Sequence, residues 1–501
     1  MPIPRSCGVL LHPTSLPGRF GLGDLGGEAF AFVDFLAAAG QSWWQILPLG
    51  PTGYGHSPYS AYSAFAGNPL LISLERLVEC GELEPADIGG IAMAEGVAHF
   101  GFVQGLKKRL LRKAARTFAA EAPTSRRDAF DRFCLDQAFW LNDHAIFQAL
   151  RRQFKDQSWS QWPEAIRRRE QSALHHWGTE LAETIHMHKY AQFVFFEQWH
   201  ILKDYARRKG IGLIGDIPFF VAFDSADVWA NPELFHLDET GQPTVVAGVP
   251  PDYFSKTGQR WGNPLYRWER MAEDDFAWWL RRFRANLALT DLVRIDHFRG
   301  FEACWTIPAD EPTAVKGSWE PVPGTALFNR LRWELGEDLP LIAEDLGIIT
   351  PEVEALRDGF GLPGMKILQF AFGGDAENPY LPHNLSQDSV VYTGTHDNDT
   401  TVGWWKSLNK AEQERVREYL GHDAREMPWD LIRLAQASVA RLCIIPMQDL
   451  LGLGADGRMN TPGEASGNWG WRYRPEDLRP EIAERLARLA AVYGRVRRPS
   501  S

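Results

Sequence analysis

A chain of 501 residues with 45% hydrophobic and 23% charged side chains has the balance of a globular protein, which excludes disordered, collagen-like and coiled-coil architectures. Its formal net charge of -11 argues against nucleic acid or an anionic membrane surface as a partner and suits a neutral or cationic small molecule better. Five cysteines with no C-x-x-C pair, and no window of about 18 uncharged apolar residues, predict a reducing cytoplasmic setting without a disulfide framework, structural zinc or membrane span.

The first apolar run, Gly8 to His12, reads as a buried strand, and Glu28 to Ala39 as the helix after it. Between them, Gly21-Leu-Gly23-Asp-Leu-Gly26 matches a dinucleotide-binding fingerprint. Its context is wrong: Pro13 to Phe20 separates it from the strand, and no ribose-binding acid ends the second strand, Trp43 to Leu47. Roughly 165 residues then precede strand three, Gly212 to Ile217, far too many for a simple crossover. Residues 50–190 are therefore expected to form a mainly helical inserted subdomain, with helical stretches at 104–119 and 128–153, followed by a helix from Tyr190 to Arg208. A second insertion, 219–275, is rich in Pro and Gly and reads as irregular. Then come a helix at Phe276 to Ala288, strand four at Leu292 to Asp296, a helix at Thr325 to Leu335, strand five at Leu339 to Glu344 and strand six at Met365 to Phe370. The link 373–389 shows no clear helix. Strand seven, Val390 to Thr393, a helix at Lys410 to Leu420, strand eight, Leu442 to Pro446, and a last helix, Pro480 to Gly494, complete the chain.

Eight apolar strands alternating with helices predict an α/β protein, a (β/α)8 TIM barrel that makes residues 1–501 one catalytic unit with large insertions over its active face. About 55 residues after the last strand leave no room for a C-terminal β-domain.

Metal motifs fail. Asp397-Asn-Asp399 opens like a calcium loop, but Val402 stands where Gly is needed and Leu408 where Glu is needed. His175-His176 and His186-Met-His188 are spaced so that neighbours on a helix do not share a face. What remains is a set of acids at strand ends: Asp216, Asp296, Glu344 and, just after strand seven, Asp397. In a barrel these ends meet at one mouth, and a charge behind an apolar run is costly unless it is paired or used. Two facing carboxylates are what glycosidic bond cleavage needs, one to attack the anomeric carbon and one to protonate the leaving oxygen. Arg294 beside Asp296 would keep a nucleophile ionised, and Glu344, behind Leu341-Ile342-Ala343, suits the proton donor.

Arg294-Ile-Asp296-His297, Glu344-Asp-Leu-Gly347 and Thr395-His-Asp397-Asn-Asp-Thr400 resemble the signature blocks of the α-amylase clan, and more narrowly those of the amylomaltases, the 4-α-glucanotransferases also known as disproportionating enzymes. The likeness extends through Leu11-His-Pro-Thr-Ser-Leu-Pro17, Gly55-His-Ser-Pro-Tyr-Ser60, Gly215-Asp-Ile-Pro218, Gly258-Gln-Arg-Trp-Gly-Asn-Pro264 and Gly467-Asn-Trp-Gly-Trp-Arg472. By that resemblance Asp296 is the nucleophile, Glu344 the general acid/base and Asp397 the transition-state stabiliser. It implies that Arg294 and His396 support the sugar in the cleaved subsite, with the substrate-binding Asp216 nearby, that Ser57, Tyr59, Gln259, Trp261, Asp375 and Asn468 bind glucose units, and that Tyr54 marks a remoter contact. It further implies α-1,4-glucans and maltooligosaccharides as donors, glucose or an oligosaccharide as acceptor, and no cofactor or metal. An amylase-like hydrolase acting on the same bonds is the alternative reading, because water and a sugar hydroxyl can attack the same intermediate.

Overall fold

Strands rich in Val, Ile and Leu on both faces are stable only when both faces are covered, by a filled barrel interior on one side and helices on the other. The computed structural model, which describes residues 3–251 and 255–496, shows this arrangement. Its described residues contain twelve strands: β1 (Ser6–Leu10), β2 (Trp43–Gln45), β3 (Gly212–Pro218), β4 (Val245–Val249), β5 (Gln259–Pro264), β6 (Leu292–Asp296), β7 (Ala303–Pro308), β8 (Ser318–Pro321), β9 (Leu341–Ala343), β10 (Gly364–Ile367), β11 (Ser389–Tyr392) and β12 (Leu442–Pro446). Eight of them close into a parallel barrel in the order β1-β12-β11-β10-β9-β6-β3-β2.

The period of two decides which residue fills which layer. Leu10, Ile214, Leu292, Val390, Tyr392, Leu442 and Ile444 pack together in one cluster. Their alternates Val9, Leu213, Val391, Cys443 and Ile445 pack in another with Phe32, Val33 and Leu36 of the helix Gly27–Ala38. Filling that interior makes the barrel a core rather than a pore, so chemistry is confined to its ends. The failed nucleotide fingerprint also has a packing cause. A Cβ on Gly23 would lie 2.1 Å from the carbonyl oxygen of Pro13, so that glycine serves a close backbone approach.

Between β2 and β3 the chain is mainly helical, with helices Phe100–Glu121, Thr124–Asp136, Ala138–Gln153, Gln171–Glu180 and Ala182–Arg208. The stretch read as one helix over 128–153 is two, because Gln137 leaves helical geometry at φ -100°, ψ 9°, and apolar periodicity is blind to a single such residue. The last helix starts at Ala182, eight residues before Tyr190.

The irregular reading of 219–275 is corrected. That segment holds β4 and β5, which join β7 and β8 in a four-stranded antiparallel sheet ordered β5-β4-β7-β8. The sequence hides it because β5, Gln-Arg-Trp-Gly-Asn-Pro, is exposed over its first three residues and lacks the alternation that marks a half-buried strand. Its partners β7 and β8 follow the fourth barrel strand, so the sheet is anchored beside Asp296. Strand six stops at Ile367 and turns into a 3-10 segment, Leu368–Phe370. The link to β11 has 3-10 turns and no α-helix.

Candidate active site

Register brings the acids together. On adjacent parallel strands, Asp216 is paired laterally with Arg294, Pro218 with Asp296, and Ile295 with Ala343. Asp296 and Glu344 therefore leave neighbouring strands side by side, one inter-strand step of about 4.8 Å apart in the backbone. Arg294 Nη1 lies 2.9 and 2.8 Å from the two carboxylate oxygens of Asp216 and 2.9 Å from Asp296 Oδ1. Burial alone would lower the Arg294 pKa, but Asp216 and Asp296 together raise it well above its ordinary value, so the guanidinium is a fixed positive charge.

Asp216 is buried behind that guanidinium. Its Oδ2 also accepts a 2.8 Å hydrogen bond from the Tyr59 hydroxyl, and its side chain has no exposed surface. Burial pushes its carboxyl up to about 7, against the opposing pull of Arg294 and the Tyr59 hydrogen bond. Asp216, expected near the sugar of the cleaved subsite, lies behind the cleft wall, its oxygens used in holding Arg294 and Tyr59, which face the cleft.

Glu344 follows β9 directly. The loop after β6 is folded onto it by His297, whose left-handed backbone (φ 54°, ψ 51°) is a conformation that only a few per cent of non-glycine residues adopt. That turn lets the His297 N–H donate to Glu344 Oε2 at 2.6 Å, while the Leu346 N–H donates to Oε1 at 3.0 Å. Burial raises the Glu344 pKa to about 8; Arg294 and the two N–H groups oppose the shift and the Asp296 charge adds to it. The Asp296 side chain is 29% exposed and sits against the guanidinium. Two carboxyls in register thus have different surroundings, one beside a cation and one whose burial favours the protonated form.

Asp397 sits on the loop after β11. There Asn398 Oδ1 accepts from the Thr395 N–H and hydroxyl, both at 2.9 Å, to shape the turn. Asn460 Nδ2 donates to Asp397 Oδ1 at 2.6 Å, and Arg458 donates to the Asp397 carbonyl at 2.6 Å and to the Asn460 carbonyl at 2.7 Å. His396 stacks on Tyr59 with ring centroids 5.2 Å apart, and burial lowers its pKa, which favours the neutral ring. Sequence reasoning missed Asn460 and Arg458. Their one signal is position, on the loop that follows strand eight at the mouth of the barrel.

All three acids line one cleft of about 1080 Å³. Arg294, His396, Ser57, Tyr59, Gln259, Trp261, Asn468 and Tyr54 also line it. Trp261 stands edge-on to His297 at 4.9 Å, and Tyr54 is 79% exposed at the rim. Asn468 uses both polar ends within its own loop, accepting from the Thr461 N–H and donating to the Glu464 carbonyl, each at 2.9 Å. Asp375, expected to bind a glucose unit, is exposed and accepts from the Glu377 N–H at 3.0 Å in its own turn, while Tyr380 from the same link faces the cleft.

The comparisons with known proteins agree with this chemistry. A family model described as 4-alpha-glucanotransferase, of glycosyl hydrolase family 77, matches residues 11–478. The 4-alpha-glucanotransferase of Thermus thermophilus is 52% identical over 504 residues, covering 99% of this chain and 100% of its own. That of Synechocystis is 52% identical over 495 residues, covering 98% of each chain, and the chloroplastic/amyloplastic enzyme of Solanum tuberosum is 46% identical over 503 residues, covering 98% of this chain and 87% of its own. Among solved structures, an amylomaltase from Streptococcus agalactiae in complex with acarbose is 41% identical, with a TM-score of 0.95 over 98% of this chain and 100% of that one. On the matched family and on full-length relatives at about half identity, the chain belongs to the 4-alpha-glucanotransferase family, the amylomaltases.

Proposed function

We propose that the chain carries out the 4-alpha-glucanotransferase activity of its family by a retaining double displacement at Asp296 and Glu344, with Asp397 gripping the sugar. An oxygen of Asp296 attacks the anomeric carbon of an α-1,4-linked glucose. The bond from that carbon to the leaving O4 breaks, and O4 takes the proton of Glu344. An acceptor 4-hydroxyl then attacks the same carbon, Glu344 takes the hydroxyl proton, and the bond to Asp296 breaks. The observation that carries this reading is the asymmetry of the two carboxyls, Asp296 beside the Arg294 guanidinium and Glu344 buried with a raised pKa. The two carboxyls are expected about 5 to 5.5 Å apart, the spacing of retaining enzymes. Asp216 acts through Arg294, and Ser57, Tyr59, Gln259, Trp261, Asn468 and Tyr54 line the path for further glucose units of an α-glucan.

Breaking and remaking one α-1,4 bond is nearly neutral in energy, so the outcome depends on whether water or a sugar hydroxyl reaches the intermediate. Maltotriose alone tests this. Glucose together with longer chains at a constant total of reducing ends is expected. A rise in total reducing ends with shorter products only would identify a hydrolase acting through the same acids.

The raised Glu344 pKa predicts pH dependence of two kinds. Transfer needs the protonated acid, so kcat/KM should fall as pH rises through about 8. A carboxyl whose folded pKa is raised stabilises the fold fully below its unfolded value and loses that contribution as pH rises through the folded one, so Glu344 contributes stability that fades between its ordinary range and about 8. A kcat/KM flat to pH 9.5 would contradict the assignment.

Asn460 is a positioning residue for Asp397. Its hydrogen bond goes to a carboxyl oxygen of Asp397, so Asn460→Ala should lower kcat by roughly 10- to 100-fold, the equivalent of about 1.5–3 kcal/mol, with a smaller change in KM. Equal losses in kcat and thermal stability with no such split would mark a structural role instead.

No helix among the described residues is long and apolar enough to cross a membrane. The five free cysteines and the net charge of -11 support a cytoplasmic glucan enzyme with no nucleic-acid partner.

A further inference from the structure

The cleft extends beyond the residues assigned so far, and its outer part on the Glu344 side is built from groups with no role in the reaction as written. This inference rests on the glucanotransferase reading. A general acid protonates the leaving oxygen, so the leaving chain, and later the acceptor, must run along the side of the cleft that Glu344 occupies. That side consists of the loop from Glu344 to Ile348 and the antiparallel sheet anchored after Asp296. Trp261 stands edge-on against His297, the residue after Asp296. Arg299, Trp319 and Ile348 also belong to the cleft wall.

Trp319 is held in place. The Arg299 guanidinium, on a side chain with 8% of its surface exposed, covers one face of the indole at 3.7 Å from the ring centre. Trp305 meets its edge at 5.3 Å and 63°, and is itself fixed by a 3.0 Å hydrogen bond from its indole N–H to the Ala314 carbonyl. Arg299 also donates to the Ile348 carbonyl, tying the loop from Glu344 to the indole. Trp319 is still only partly buried, and Ile348 is 54% exposed. A pinned ring and an uncovered aliphatic chain in one wall, both tied to Arg299, form an apolar platform that loses little entropy on binding.

We propose that Trp319 and Ile348 form a remote subsite that takes a glucose ring of the leaving or acceptor chain of an α-1,4-glucan, the pyranose C–H face lying on the indole. Such a subsite, engaged by chains longer than a trisaccharide, sets chain-length preference rather than bond chemistry. Its alternative is a purely structural stack that fastens β8 to the Glu344 loop.

The test compares kcat/KM for maltotriose and maltoheptaose in Trp319→Ala, Trp319→Phe and Ile348→Ser. Trp319→Ala is expected to lose about three- to tenfold more on maltoheptaose than on maltotriose, the range of one aromatic stacking contact. Trp319→Phe, which keeps a ring, should recover part of that difference, and Ile348→Ser should lose in the same direction. Equal losses on both lengths, or none on either, overturn the subsite. If Trp319→Ala does not fold, the ratio in Ile348→Ser and Trp319→Phe decides by the same criterion. Absence of transfer on maltotriose by the unaltered protein would overturn the glucanotransferase reading and the subsite with it.

Discussion

Asp296→Asn is expected to lower kcat for maltotriose disproportionation by about 10⁴-fold or more, because the step that forms the glycosyl-enzyme has no substitute nucleophile at that carbon. Binding of maltooligosaccharide should be largely retained. The amide has the shape of the carboxylate, its oxygen can still accept from Arg294, and the guanidinium remains neutralised by Asp216. Steady-state turnover measured beside calorimetric binding separates the two effects. Turnover within tenfold of the unaltered protein would remove Asp296 from the mechanism.

Arg294→Leu should be the most destabilising single change at the site, costing about 3–5 kcal/mol in denaturant unfolding, because it leaves a buried carboxylate without its counter-charge. Asp216 has no other cation within the contacts described, only the Tyr59 hydroxyl. The sign with pH follows from the direction of the Asp216 shift. A carboxyl whose folded pKa lies above its unfolded one favours the fold at low pH and ceases to as pH rises through the folded value, here about 7. Removing the guanidinium raises that value further, so the deficit of Arg294→Leu should shrink on acidification. A deficit independent of pH would mean that lost packing, and not the stranded charge, accounts for it.

Those two results depend on features that the sequence reveals unequally. Asp296 and Glu344 were legible because each ends an apolar run, and a charge there must be paired or used. Their side-by-side placement was legible too, since consecutive strands of a parallel barrel are neighbours in space. What Asp216 does was not, because the same strand-end pattern serves a carboxylate that faces the cleft and one turned behind Arg294; register, and not composition, separates them. His297 gave no hint of its left-handed backbone, which depends on the contact it makes with Glu344 across the next loop.

The antiparallel sheet escaped detection for a different reason. Its strands come from two segments on either side of a barrel strand, and β8, Ser-Trp-Glu-Pro, is four residues long and mostly exposed. Pairing, and not propensity, makes such segments strands. Asn460 lies in a turn-rich loop whose composition suits a simple connection, and only the loop's return onto Asp397 gives its amide a purpose. Hence the chemistry at strand ends could be read from one dimension, while the outer wall of the cleft needed three.

The central claim is that Asp296 becomes covalently glycosylated. Glu344→Gln should still be attacked by Asp296 when the donor is an α-maltosyl fluoride, because fluoride departs without needing a proton, while the second step is slowed by loss of the base. Mass spectrometry of the rapidly quenched and digested protein is expected to find the glycosyl group on the peptide that carries Asp296. No adduct at any quench time, or an adduct on Asp397, would contradict the account.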